Sequence, residues 1–237
     1  MSSDANQLAD GIAIVDDFFD GVFAPLNAWI PELAQELRSA ELPLSGAALA
    51  SVVRAGAFRV LDTEDRPLYG AGFCGSDAVM GEGNPLAWWQ GSDRHLLASS
   101  TFGPGQAAID LERLEWFRVP KHTGAQHVAG PFVDYLCSNE ITLTSSMPVI
   151  VDGEFWGVAC ADVLISRIEE CLLPSIRGVE GAALVNAHGR VVVSADPDRE
   201  TGDRFPGIEA ATAAVGDRAV SVVRSQRYPF ALVAPTG

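Results

Sequence analysis

The chain has 237 residues, enough for one large or two small domains. Its 48% hydrophobic and 20% charged residues are ordinary for a globular protein, and its formal charge of −15 argues against nucleic acid or an anionic membrane surface as partner. The acidic excess is compatible with attracting a cationic small molecule, although solubility alone also accounts for it.

The opening residues, MSSDANQLADG, hold no basic region and no apolar core, so they do not read as a secretory leader. No run approaches the roughly 18 apolar residues of a membrane span. The expectation is a cytoplasmic protein without membrane insertion. From Leu8 to Leu37, apolar residues including Ile12, Val15, Phe19, Val22, Leu26 and Leu33 recur at helical spacing. Pro25 and Pro31 interrupt the run and predict a kink or two joined helices. The stripe Phe18, Phe19, Phe23 and Trp29 reads as a face packed on a sheet or on a second copy of the chain. Phe19, Phe23 and Leu26 are the expected dimer surface.

Residues 57–61 read as a strand, 63–67 as a turn and 68–73 as the returning strand. A Gly/Pro-marked loop at 81–85 leads into an expected short helix at 85–90, which carries Trp88 and Trp89. Residues 98–102 read as a further strand, and Gly103-Pro104-Gly105 breaks the chain. A helical turn at 111–117 precedes an expected long loop at 119–128, rich in Gly, His and Thr. Residues 165–176 form an amphipathic helix, with Ile165, Ile168, Leu172 and Leu173 near one face. A hairpin at 181–194 turns at 186–189, and its inner face is expected to be Ala182, Leu184, Val191 and Val193. A short helix at 208–215 and a last hairpin, 219–225 with 228–234, complete the chain.

The most informative stretch lies between these parts. Val151-Asp152-Gly153-Glu154 contains the two-residue Asp-Gly turn that marks a tight hairpin. A turn there is expected to pair Val149 with Trp156, Met147 with Val158, Ser145 with Cys160 and Leu143 with Asp162. Those side chains would share one face. The face is apolar except near Ser145 and Asp162. An aspartate closing an apolar strand is costly to bury without a partner, so Asp162 either caps a turn or meets a polar ligand.

The four cysteines, Cys74, Cys137, Cys160 and Cys171, show neither a CxxC pair nor zinc spacing and read as small buried hydrophobes. His122 and His127 straddle a Thr-Gly loop without further ligands nearby, so no metal is expected. There is no P-loop, no GxGxxG after a strand and no GxSxG elbow. Asp134 and Glu140 could pair as carboxylates, but their turn-rich setting suits a solvated loop. The expectation is a protein that is not an enzyme and carries no cofactor. Trp88, Trp89, Trp116, Phe117, Phe132 and Tyr135 would gather in one module and suit a small organic ligand. Faces of Trp and Tyr attract cations by roughly 0.5–2 kcal/mol each.

Taken together, Trp116-Phe117, Gly130-Pro131-Phe132-Val133-Asp134, Met147-Pro148-Val149, Gly153-Glu154-Phe155-Trp156-Gly157-Val158 and Asp162 resemble a Cache sensor domain. Cache domains are PAS-like modules that bind small metabolites, mostly outside the cell in chemoreceptors and sensor kinases. The resemblance implies an α+β fold: a long N-terminal helix, then two PAS-like antiparallel-sheet modules, the double Cache arrangement. The expected parts are a helical segment at 1–45, a larger ligand-binding module at 46–164, and a linker helix with a smaller second module at 165–237. The second module would be structural or signalling.

The resemblance also places Trp116 at the ligand, opposite Asp162. In the amino-acid-binding branch an arginine stands two positions before that tryptophan and a tyrosine follows it. Here those places hold Leu114 and Phe117, and Phe132 replaces another tyrosine. The amine end of the recognition set therefore survives while the carboxylate end is lost, although Arg113 or Arg118 could substitute. Cys160 occupies a common glycine place and would shrink the pocket. The expected ligand set is Trp88, Trp116, Phe117, Phe132, Asp134, Tyr135, Ser145, Cys160 and Asp162. The function this implies is a sensor of a small amine or amine-containing, amino-acid-like metabolite, with a homodimer and a separate regulator or transporter as its partners. The alternative is a ligand-free module used for interaction or dimerisation.

Overall fold

The computed structural model describes residues 3–64, 67–81, 85–97, 110–133, 140–208 and 220–236. The expected strand at 98–102, the breaker at 103–105, Asp134, Tyr135 and Cys137 lie outside the described residues, as does all but Ile208 of the expected helix at 208–215.

The first helix, α1 (Ser3–Ser39), is one element with Pro25 and Pro31 inside it. A kink or two joined helices were expected. A proline inside a helix costs about 3 kcal/mol. Here the stripe from Leu8 through Val15, Phe19, Leu26 and Leu33 to Leu37 is fully buried. At roughly 1.5–3 kcal/mol for each such side chain, burial outweighs both prolines. The aromatic stripe packs on a sheet: Phe19 stacks on Phe230 at 5.1 Å and Phe23 on Tyr228 at 5.7 Å. Phe19, Phe23 and Leu26 are therefore core and not a dimer surface.

The expected strand at 57–61 is instead the last part of helix α2 (Gly46–Leu61). Its buried residues Leu49, Val53, Gly56, Ala57 and Val60 fall on one helical face, and Ser45 caps it by accepting from the Ala48 N–H. At Gly56, α1 comes so close that an added Cβ would lie 1.8 Å from Trp29 Nε1. The expected helix at 85–90 is a strand. Its alternation sends Leu86, Trp88 and Gln90 to one face and Ala87 and Trp89 to the other.

The larger sheet comprises β1 (Gly70–Gly75), β2 (Leu86–Gln90), β3 (His95–Leu96), β4 (His127–Val133), β5 (Ile141–Val151) and β6 (Glu154–Leu164). Their order is β3-β2-β1-β6-β5-β4, with every pairing antiparallel. Helices α1 and α2 cover one face. Helix α3 (Glu115–Thr123) covers the other, so most of the loop expected at 119–128 is helix and strand.

The Asp-Gly hairpin forms, with positive φ at Asp152 (52°) and Gly153 (84°), as a type I′ turn requires. Its register departs from expectation by one residue. Ile150 pairs with Phe155, but Val149 pairs with Gly157, so Trp156 is the extra residue of a bulge. Beyond it Met147 faces Ala159, Ser145 faces Ala161 and Thr144 faces Asp162. A one-residue slip turns every later side chain to the opposite face. Leu143 and Ser145 accordingly lie on the helix-covered core face, away from Asp162.

Helix α4 (Ile165–Ile176) has the expected bounds and leads to the second sheet. That sheet comprises β7 (Ala183–Asn186), β8 (Val191–Ser194), β9 (Val220–Arg224) and β10 (Phe230–Pro235), in the order β8-β7-β10-β9. An irregularity between Leu184 and Val185 pairs Val191 with Val185 on the outer face, beside Phe205, so Val191 is not on the inner face as expected. One continuous buried cluster runs from Leu8 on α1 through Phe73, Leu143 and Ala161 of the first sheet to Leu184 and Leu232 of the second. Among the described residues, no helix is long and apolar enough to cross a membrane.

Candidate functional site

The candidate site is a row across four strands on the α3-covered face. Gln90, Gly70, Asp162 and Thr144 are successive partners across β2, β1, β6 and β5. The Asp162 carboxylate is almost wholly buried, with 4% of the residue exposed. Its Oδ2 accepts from Trp88 Nε1 at 3.0 Å and from Gln90 Nε2 at 2.9 Å. Its Oδ1 accepts from Thr144 Oγ1 at 2.6 Å. These three donors are neutral.

Gln90 and Asp162 are two strands apart, and Gly70 stands between them. A Cβ on Gly70 would lie 2.7 Å from Gln90 Cγ and 2.9 Å from both Asp162 Oδ2 and Trp88 Nε1. The missing side chain is what allows the amide and the carboxylate to meet. The Gln90 amide is placed with its nitrogen toward Asp162, the orientation that an ionised carboxylate, an acceptor only, would require. The other amide atom, Oε1, is buried and has no hydrogen-bond partner.

Beside this row is a cavity of about 80 Å³ lined by Trp88, Gln90, Trp116, Phe132, Thr144 and Asp162 together with apolar neighbours and Thr142. Trp116 stands edge-on to Trp88 with ring centroids 5.8 Å apart. It comes from the first turn of α3, which starts after Leu114 without a side-chain cap. Phe132 reaches the wall through a second bulge. Ala129 pairs with Thr144 and Phe132 with Thr142, so three steps on β4 match two on β5. The extra residue turns Phe132 to the cavity face.

Of the residues expected at a ligand, the structure brings Trp88, Trp116, Phe132 and Asp162 to this one cavity. Phe117 and Cys160 lie in the apolar cluster on the same face, with Cys74 and Val158, and do not line the cavity. Burial pushes the Cys160 thiol well above its ordinary pKa, with Asp162 adding to the effect, so it stays a neutral thiol. Cys74 is likewise raised by burial alone. Cys171 is exposed and is not the small core residue expected. Ser145 is the clear correction: the bulge at Trp156 places it on the opposite face, where its hydroxyl is buried without a partner. Thr144, one residue earlier, pairs with Asp162, the place expected for Leu143 with Ser145 nearby. Gln90 and Gly70 were not expected at all. The signal for both was alternation in 86–90 and a glycine in an apolar strand, which often marks close approach.

Neither arginine considered as a carboxylate partner lines the cavity. Arg113 is mostly exposed and pairs with Asp110, and Arg118 is exposed on α3. Trp116 and Phe132 form a shared wall. On their other side is a cleft of about 430 Å³ with Arg113, Glu115, Asn186 and His188, between α3, β4 and the β7–β8 turn. There Glu115 accepts from His127 at 2.8 Å and approaches His188 at 3.4 Å. Asn186 Nδ2 donates to the Gly130 carbonyl at 2.6 Å. Among the described residues, no group of three or more His, Cys, Asp or Glu could hold a metal ion.

No family model matches the chain, and no curated protein matches it in sequence. Solved structures do match its fold. The ligand-binding domain of the Campylobacter jejuni chemoreceptor Tlp3, in complex with L-valine, superposes with a TM-score of 0.61 at 11% identity, over 98% of this chain and 90% of that one. The ligand-binding domain of the Pseudomonas aeruginosa amino acid chemoreceptor PctC, in complex with GABA, gives 0.56 at 16% identity, over 98% and 97%. The extracellular domain assigned to histidine kinase mmHK1S-Z3 gives 0.53 at 16% identity, over 90% and 88%. The chain shares the α+β architecture of these sensor domains from end to end.

Proposed function

We propose that this chain, which has the double Cache fold, binds a small ammonium-bearing metabolite against Asp162 in its larger module. The observation that carries the reading is a buried carboxylate in the wall of a small cavity that Trp88, Trp116 and Phe132 also line. Such a site attracts a cation through the carboxylate and the aromatic faces together. The solved domains with this fold include chemoreceptor domains in complex with valine and GABA, and both ligands carry an amine. No lysine or arginine is among the cavity's described lining residues, which favours an amine over a zwitterion. The small volume, about 80 Å³, favours a compact amine.

The same proposal keeps 46–164 as the ligand module, 165–237 as a second module without a ligand of its own, and a separate regulator or transporter as the receiver of the signal. It also keeps a cytoplasmic location and a role without catalysis. Recovery of the native protein outside the cytoplasm would refute the location.

The test is calorimetric titration with methylammonium, ethylammonium and isopropylammonium, backed by thermal shift. A true ligand at a hundredfold excess over its Kd should stabilise the protein by about 2.7 kcal/mol. Asp162→Asn should abolish the binding. That variant also gives one of three converging donors a poor acceptor, so it should cost the free protein about 1–3 kcal/mol. Binding is therefore measured at a temperature where circular dichroism shows the variant folded. Equal binding by Asp162→Asn, or stabilisation by none of the amines, overturns the reading. The second outcome would favour a ligand-free interaction module.

A further inference from the structure

Asp162 is not the only acceptor-bearing side chain that lines this cavity. Gln90 is 7% exposed, its Nε2 is committed to Asp162, and its Oε1 has no partner. Buried acceptors without partners are rare in native proteins, and each calls for an explanation. An amide flip does not supply one here, because it would set a carbonyl against a carboxylate. Nor can the neighbouring row help, since Trp88 and Thr144 already donate to Asp162. What can supply the missing donor is whatever occupies the cavity: water when the site is empty of ligand, and the ligand when it is bound.

We infer that Gln90 Oε1 is the second acceptor for the ligand, and that Asp162 and Gln90 together select an ammonium group with at least two N–H bonds. This rests on the ammonium reading above and narrows it to primary and secondary amines. A carboxylate alone discriminates poorly among cations of one charge, because Coulomb attraction does not count hydrogens. A carboxylate beside a neutral carbonyl does count them. A cation with one N–H satisfies the carboxylate and leaves the carbonyl buried and bare. Gly70 belongs to the same device, since the lack of a side chain there is what lets Gln90 reach this position.

The experiment compares isopropylammonium with trimethylammonium by calorimetric titration. The two ions have the same number of heavy atoms and the same branching, but three N–H bonds and one respectively. The wild-type protein should bind isopropylammonium about tenfold more tightly or better. In Gln90→Met, which keeps length and apolar bulk but has neither amide atom, that preference should collapse while some binding to Asp162 persists. A purely structural glutamine would weaken both ions alike and leave their ratio unchanged. Equal affinities in the wild type overturn the inference without any variant and leave the ammonium reading standing. A ratio unchanged in Gln90→Met also overturns it. Failure of both ions to bind the wild type overturns the inference together with the reading beneath it.

Discussion

At Gly70 the sheet leaves a gap one side chain wide, and the polar row closes across it. Gly70→Ala would put a Cβ within 2.9 Å of both Trp88 Nε1 and Asp162 Oδ2. Real Cβ atoms do not sit that close, so the row must spread. We expect a loss of about 1–3 kcal/mol in urea denaturation, the usual cost of forcing atoms into a packed interior. Isopropylammonium binding should weaken in the same variant. Wild-type stability in the Gly70→Ala protein would show that the row is loose. At this scale the sequence was legible where chemistry was unusual. An acid ending an apolar strand pointed to Asp162, whereas Trp116 was singled out among the aromatics only by the family resemblance. Gln90 was not legible, because a glutamine in an exposed helix and one in a buried row look identical in composition.

Elements were legible in proportion to the length of their periodic signal. Helix α4 shows Ile165, Ile168, Leu172 and Ile176 at helical spacing, and its bounds were read correctly. Helix α2 was missed because attention to 57–61 alone sees a strand-like Phe-Arg-Val-Leu window. Its capping serine and the buried face from Leu49 to Val60 appear only over the whole span. The Asp-Gly turn was legible, but the bulge at Trp156 was not. A bulge is set by how a strand lies on its neighbours, and Gly157, at φ 145°, was its one local trace. The cap on α2 gives a direct test. Ser45→Ala removes the acceptor for the Ala48 N–H and should cost about 1 kcal/mol in urea denaturation. A change within roughly 0.2 kcal/mol, the scale of measurement error, would mean that α2 is held by Trp29 and the sheet alone.

Across the whole molecule, the order of helix, larger sheet and smaller sheet was legible from the sequence. The shared core was not, because long-range packing leaves no local pattern. Besides the Asn186–Gly130 hydrogen bond, Glu115 on α3 makes a polar link between the sheets, reaching His127 of the first and His188 in the turn of the second. Burial acts to raise the Glu115 pKa, but the hydrogen bond and charge of His127 and the charge of His188 outweigh it and hold the carboxyl below its ordinary value. A carboxyl depressed in the folded state adds stability above its unfolded pKa, and that stability is lost as pH falls through the folded value. Glu115→Gln should therefore be less stable than wild type at neutral pH. The two should converge as pH drops below about 4, near the ordinary carboxylate pKa. Urea midpoints measured from pH 7 to pH 3 check this, and a gap that stays constant over that range would remove the link.

The Trp88–Asp162 hydrogen bond has an optical consequence. An indole is a chromophore whose excited state carries a large dipole, so its emission follows the local electric field. Here the indole N–H points straight at the carboxylate proposed to meet a cation. A second indole, that of Trp116, lies edge-on 5.8 Å away, close enough for the two transitions to couple. Any positive charge entering the cavity would relax the field on Trp88 and shift its spectrum. Under the ammonium reading, occupancy of the cavity would register in the emission of Trp88 and its neighbour Trp116, so the proposed site would hold its own reporter dye.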